Sequence, residues 1–436
     1  MAMSKRYMVS TKREYSYSCS LPGVWRAVGH NQGAAVVYHS PKACGHIARQ
    51  MEVGGYYYSL ARGSAGATQY TAPLITSNLR EEHSIFGGSD QLRQCLDYVV
   101  ERYKPEYIMV ANSCVAGVIG DDTQATAQEA ERVWGIPVLS ISGSGFLDGE
   151  YHGGFYHAAH ALMERFMQPQ PACAGRITLL GDCGGPNGAY AKEITTLVTP
   201  FELAVECRFP GYASLAEIRQ LPATALTLPL GGSSQAFAYM RRLAAALQTK
   251  FGIPFLDRDY PVGWRGTKAW LAELGTILDR KDQAVLAEAE QNERLQGHAA
   301  RCRPALQGLG VVFCLGRPLL AADWDWITEL FVLAGVKLTG VVLFGSLSGQ
   351  AGALRQELSP YPLYAELPIV GEQDGEALLR AADLLVTTHE LEDESKRQLF
   401  LPMLPPLGVG GLVNLLGKLA RLAKRSEQQG GVIYGW

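Results

Sequence analysis

The chain has 436 residues, 47% of them hydrophobic and 19% charged, with a formal net charge of −3. No apolar run reaches the ~18–20 residues that a membrane-spanning helix needs, and no basic excess gives non-specific nucleic-acid binding an electrostatic basis. At roughly 100–200 residues per domain the length predicts about three domains, and a charged share below the usual ~25% predicts a surface partly covered by a partner.

The first twenty residues, MAMSKRYMVSTKREYSYSCS, hold no signal-peptide apolar core, so the expectation is a cytoplasmic protein. Short apolar runs then recur at 34–39, 107–112, 137–142, 176–181, 223–228, 310–315, 339–345 and 383–388, each bounded by Gly, Pro, Asn or Asp. Such near-continuous runs predict strands buried on both faces, as in parallel sheets. Helix-length segments lie between them, at 89–103, 122–134, 155–166, 188–198, 234–250, 268–279 and 325–334. The alternation predicts an α/β fold of three doubly wound, Rossmann-like parallel-sheet domains. A Pro-rich joint at 167–175 and a polar helix within 280–309 place them at 1–167, 168–300 and 301–436. The last residues, RSEQQGGVIYGW, read as a tail that docks on the body or on a partner.

Nine cysteines, an odd number in a long chain without an export signal, argue against a disulfide framework. Ligands of open α/β sheets sit at the carboxyl ends of the strands, and that rule sorts the thiols. Cys44 (SPKACGH) and Cys114 (NSCVAGVIGDD) lie just past predicted strands, and Cys19 (SYSCSLPG) lies before the first. All three have small neighbours whose backbone amides could donate to sulfur, as a metal–sulfur cluster requires. Gly45, Gly117 and Gly120 would let the backbone come close. The intervals of 25 and 70 residues match no CxxC-type run. The residues alone therefore leave two readings open, a three-thiol half-site or three buried turn thiols.

Cys95, mid-helix, and Cys314, inside an apolar strand, read as core thiols. Cys207 and Cys302 have no converging context, and Cys173 lies in the joint. Cys183 (LLGDCGGPNG) is ambiguous between a strand-end ligand and a Gly-rich turn. Asp121 and Asp122 read as caps of the following helix. His30, His39 and His46 read as hydrogen-bonding or core residues around the cysteines. His157 and His160 share a helix face, where packing is favoured over a metal site.

The first 166 residues resemble the component-1 proteins of nitrogenase and its relatives. The resemblance rests on an ordered set: SYSCSLPG, HSPKACGH, EEHSIFGG followed by a helix, KPEYIMVANSC, VIGDD, and PVLSISGSGFLDGEYHGGFYHAAHAL. It implies that Cys19, Cys44 and Cys114 bind half of an iron–sulfur cluster, either an [8Fe-7S] P-cluster-like species or a [4Fe-4S] one. A homologous alpha-type subunit would supply the other half in an α2β2 assembly. It also implies electron delivery by a separate ATP-hydrolysing [4Fe-4S] reductase, in keeping with the lack of a GxxxxGK[ST] loop here. LTLPLGGSSQAFAYMRRLAAALQTKFGIPF has glycines and serines where the alpha-type cofactor cysteine would fall. LFLPMLPPLGVGG has no histidine, and His389 does not match the family's position. The chain thus looks like a beta-type subunit. Gly145 falls where the beta-type subunit has a serine that ligates the oxidised cluster, with Ser144 beside it. Three intact cysteines favour an electron-relaying reductase over a scaffold. The SGSG segment is similar to (proto)chlorophyllide-type reductases, but VIGDD is closer to nitrogenase. The compact N-terminus resembles a nitrogenase-like enzyme, with a methylthio-alkane reductase as the first expectation. A cofactor-assembly scaffold, a nitrogenase beta chain and a (proto)chlorophyllide-reductase-type subunit are the alternatives within the family. A cluster-free α/β ligand-binding protein is the alternative outside it.

Overall fold

Apolar runs of about six residues become strands covered from both sides. The computed structural model describes residues 19–50, 70–145, 150–181, 188–231, 234–316, 324–389, 391, 395–401, 407–426 and 430–434. All strand pairs within its three sheets are parallel. The chain divides into two compact units. One comprises Ser16–Thr195 and Glu202–Asp259, the other Met1–Tyr15, Thr196–Phe201 and Tyr260–Trp436.

The first unit carries two sheets. Strands β1 (Ala34–His39), β2 (Leu74–Thr76), β3 (Tyr107–Asn112) and β4 (Val138–Ser144) run in the order β2-β1-β3-β4. Strands β5 (Arg176–Gly181), β6 (Ala204–Phe209) and β7 (Leu226–Leu230) run in the order β6-β5-β7. The pleat divides the first sheet's side chains between two cores. Val36, Tyr38, Met109 and Ala111 pack with helices α1 (Leu21–Val28) and α5 (Tyr151–Phe166). Ala35, Val37, Ile108 and Val110 pack with α2 (Ser89–Tyr103) and α4 (Thr123–Trp134). A short helix, α3 (Cys114–Ile119), lies between β3 and α4. Register pairs His39 with Asn112, so β1 and β3 end level.

The second unit carries β8 (Gly310–Leu315), β9 (Lys337–Leu343), β10 (Ile369–Gly371), β11 (Leu384–Thr387), β12 (Arg397–Phe400) and β13 (Gly431–Tyr434). Their order, β10-β9-β8-β11-β12-β13, reverses direction at β8 as in a doubly wound sheet. Helices α6 (Ser234–Phe251) of the first unit and α7 (Gly263–Ile277), α8 (Lys281–Leu306) and α9 (Trp324–Ala334) of the second fill predicted helical stretches, as does a helix at Ala189–Val198. Helix α10 (Gly408–Ala423) of the second unit adds one outside them. The C-terminal residues dock on the body in a specific way: Gly431–Tyr434 form the edge strand β13, paired with β12.

Candidate cluster site at the carboxyl edge of the first sheet

Cys19, Cys44 and Cys114 all come to one end of the four-stranded sheet. Cys19 precedes α1, whose start is fixed by two close approaches to α5. A Cβ on Gly154 would lie 2.1 Å from the Ser20 carbonyl oxygen, and one on Gly23 would lie 1.9 Å from that of Tyr151. The Tyr38 hydroxyl donates to the Leu21 carbonyl at 2.6 Å, tying the same turn to β1. The Ser20 amide donates to the Gly145 carbonyl just past β4, at 3.4 Å. Cys44 lies in the first turn of the helical stretch 42–50, with its amide on the Pro41 carbonyl. Cys114 opens α3, which Ser113 caps by accepting the Ala116 amide.

All three thiols are half-buried and free. They lie within electrostatic reach of one another. Burial pushes the Cys19 thiol up; a hydrogen bond from the Leu21 backbone opposes this, and Cys44 and Cys114 add to it. Burial likewise raises Cys44, the Ser40 hydroxyl opposes, and Cys114 adds. Cys19 and Cys44 thus resist becoming thiolates by themselves, because the charges repel in a poorly solvated place. A cationic iron core would remove that repulsion, as bound metals do for coordinating thiols. The donor set therefore fits an iron–sulfur cluster. Among the described residues no three His, Cys, Asp or Glu side chains converge on a single metal ion. That is compatible with a cluster, whose thiolates bind different irons and stand further apart than ligands of one ion.

The neighbouring glycines have separate reasons. Gly45 makes the expected close approach, since a Cβ there would lie 2.6 Å from Thr76 Cγ2. Gly117 lies exposed on α3. Gly120 departs from expectation: nothing lies within 4 Å, and its φ of +80° ends α3 in a left-handed turn. Gly145 has φ +58°, and a Cβ on it would meet the Cys114 amide nitrogen at 2.8 Å. A serine side chain at 145 would thus be strained and collide with the Cys114 backbone. Ser144 ends β4, opposite Asn112.

One pairing beside the site was not legible in advance. Asp122 caps α4 as expected, accepting the Ala125 amide at 2.9 Å. Asp121 does not cap it. Its carboxylate accepts from His39 Nε2 at 2.9 Å and from the Gly88 amide at 2.8 Å. The signal available was a histidine ending a buried strand and an acid following a left-handed glycine. Neither residue type names its partner.

Elsewhere, Cys95 and Cys314 are core thiols, as expected from the burial preference of cysteine. Cys95 is buried in α2 with its pKa pushed up to about 12 by desolvation. Cys314 is fully buried in β8 and raised further by the same cause. Cys207 and Cys302 are buried, Cys173 is exposed, and Cys183 lies outside the described residues. His157 and His160 pack around the Tyr156 ring. Beside the site, the helix His83–Phe86 packs on α3 and leaves Ile85, Phe86 and Val118 78%, 86% and 76% exposed. No helix among the described residues is long and apolar enough to cross a membrane.

Comparison with known proteins follows the same lines. The family model for nitrogenase component 1 type oxidoreductases matches residues 19–424. A nitrogenase iron-molybdenum cofactor biosynthesis protein NifE from Clostridium pasteurianum is 27% identical over 59% of this chain and 59% of its own length. A nitrogenase molybdenum-iron protein alpha chain from Methanosarcina barkeri is 25% identical over 57% of this chain and 46% of its own. The matched stretch thus spans about half the length of these curated relatives. The solved structure "Nitrogenase Cp1 at pH 5" superposes over 93% of this chain and 88% of that one, with TM-score 0.59 and 17% identity. That likeness establishes the α/β fold.

Proposed function

The chain belongs to the nitrogenase component 1 type oxidoreductase family, and from that premise we propose that it holds half of an iron–sulfur cluster at the interface with a homologous subunit. The observation that carries the proposal is that the segments holding Cys19, Cys44 and Cys114 come to one end of the four-stranded sheet, tied there by the Ser20 amide on the Gly145 carbonyl and the Ser113 amide on the His39 carbonyl. When bound, a [4Fe-4S] or [8Fe-7S] species would supply one-electron redox chemistry, relaying electrons from an ATP-dependent iron–sulfur reductase to the partner's cofactor. This chain's residues do the holding. The three thiolates bind iron, small neighbours leave the backbone close, and the buried sheet edge keeps water out.

The reading is of a beta-type role. Gly231, Gly232, Ser233 and Ser234 stand where an alpha-type subunit would have its cofactor cysteine, so the substrate-reducing cofactor belongs to the partner. A methylthio-alkane reductase-like complex, α2β2 and cytoplasmic, is the first candidate, because all three cluster cysteines are present. Ile85, Phe86 and Val118 give the incoming reductase an apolar surface beside the cluster. A second reading, a scaffold for cofactor assembly, is favoured by the similarity to NifE.

The test is anaerobic co-purification with the partner subunit, followed by iron analysis of the wild type and of Cys44→Ala and Cys114→Ala. Several irons per chain in the wild type, lost in both variants, are expected. A colourless, iron-free wild type, or variants with unchanged iron, would refute the assignment. ATP-dependent reduction of a methylthio-alkane by the complex separates the reductase from the scaffold, which would instead hand its cofactor to another protein.

A further inference from the structure

We propose that His39 and Asp121 form a buried latch that sets the position of Cys44 relative to Cys114, making both positioning residues of the cluster site. The inference rests on the cluster reading above and goes beyond it to residues that touch no iron.

His39 ends β1, five residues before Cys44, and is fully buried; the Asp121 side chain, seven residues after Cys114, is 4% exposed. A carboxylate can only accept, so the His39 Nε2 atom carries the proton shared with Asp121 Oδ2 at 2.9 Å. Nδ1 then accepts the Ser77 hydroxyl at 2.9 Å, and that oxygen in turn accepts the Ser40 amide at 3.1 Å. Burial lowers the imidazole's pKa against the opposing pull of Asp121, which matches this neutral assignment. The second Asp121 oxygen takes the Gly88 amide at 2.8 Å. Every polar atom of the pair has a partner.

The same residue is gripped through its backbone. The Ser113 amide and hydroxyl both donate to the His39 carbonyl, at 3.1 and 3.0 Å. Ser113 is the cap of the helix that Cys114 opens. His39 therefore holds the Cys114 segment at two places, before the cysteine through Ser113 and after it through Asp121. The chain leading to Cys44 leaves directly from this clamp. Gly88 closes it, since a Cβ there would lie 2.7 Å from Asp121 Oδ2 and 3.1 Å from His39 Cε1. Groups that orient metal ligands without binding the metal change its affinity by ~10–100-fold when removed.

The experiment uses the full chain purified anaerobically with its partner. It compares the wild type with His39→Leu, His39→Gln, Asp121→Asn and a remote control, Thr178→Val, which removes a buried hydroxyl bonded to Thr224 in the other sheet of the same unit. Two readouts are taken, the chelator concentration that strips half the iron and the electron paramagnetic resonance line shape of the cluster. His39→Leu and Asp121→Asn are expected to release iron at ~10–100-fold lower chelator and to change the line shape. His39→Gln, which can still donate to Asp121, should recover part of both, and Thr178→Val should change neither. If His39→Leu does not fold, Ser77→Ala, which removes the Nδ1 partner together with the acceptor of the Ser40 amide, takes its place. Variants that match the wild type in both readouts overturn the latch alone. So does a control that shifts the spectrum as much as they do. An iron-free wild type overturns the cluster reading and the latch with it.

Discussion

Each of the two units presents a parallel sheet with a cysteine on or after a central strand and a histidine at a strand end, yet only one of them makes a candidate site. In the second unit Cys314 lies within β8, enclosed by Val312, Val342 and Leu385. His389, two residues past β11, stacks on Phe344 with ring centroids 5.3 Å apart and covers Gly316. In the first unit Cys114 lies two residues past β3, half-buried, and His39 is the last residue of β1, bonded to Asp121 and Ser77. Register decides the chemistry. A thiol inside a doubly covered strand is solvated by apolar side chains and stays protonated. A thiol two residues past the strand end, as Cys114 is, stands half-buried within electrostatic reach of Cys19 and Cys44.

The sharpest way to break this contrast is to exchange the roles of the cysteines. Cys114→Ala is expected to abolish bound iron altogether. Cys314→Ala should leave iron per chain unchanged and lower unfolding stability by about 1 kcal/mol, read from urea denaturation. Equal iron loss in both would erase the distinction.

Glycines offer a second comparison. Gly154→Ala puts a methyl group into the Ser20 carbonyl, so α1 must shift, at ~1–3 kcal/mol, and carry Cys19 with it. Gly417→Ala in α10 meets its nearest atom, His298 Nε2, at 3.4 Å. There the helix should gain ~0.5–1 kcal/mol. Paired urea midpoints check both signs.

The buried histidine predicts a smaller, pH-dependent effect. His39 has its pKa lowered from 6.5 in the folded state. The unfolded chain therefore takes up the proton more readily. Its contribution to stability is complete above pH 6.5 and is lost as the pH falls through the lowered folded value. Urea midpoints measured from pH 7.5 down should drop less steeply in His39→Gln than in the wild type. Asp122→Ala removes a helix cap at ~1 kcal/mol and, unlike Asp121→Asn, should leave the iron-binding readouts unchanged.

Much of the fold was legible because its central strands are continuous apolar runs. Strands Leu74–Thr76, Ile369–Gly371 and Gly431–Tyr434 escaped because three or four residues carry no period, and their pairing comes from the sheet they join. Ala204–Phe209 escaped for another reason. Its residues alternate in exposure along one edge of a three-stranded sheet, and Glu206 and Arg208 break the apolar run. At the site, the three cysteines were singled out by the strand-end rule and by the family resemblance together, and the fold brings their segments to one end of the sheet. The His39–Asp121 pair was not, because 82 residues separate the partners and Asp121 stands beside a true cap, Asp122, of the same chemical type.

The last strand has a practical consequence. β13 forms one border of the six-stranded sheet, and its ladder with β12 runs from Arg397–Gly431 to Phe400–Tyr434. Removing 430–436 would leave β12, with Gln398, Leu399 and Phe400 buried behind it, as a raw border of unpaired amides and apolar side chains. Such borders recruit other strands. A shortened chain should self-associate, read as a concentration-dependent rise in mass by light scattering.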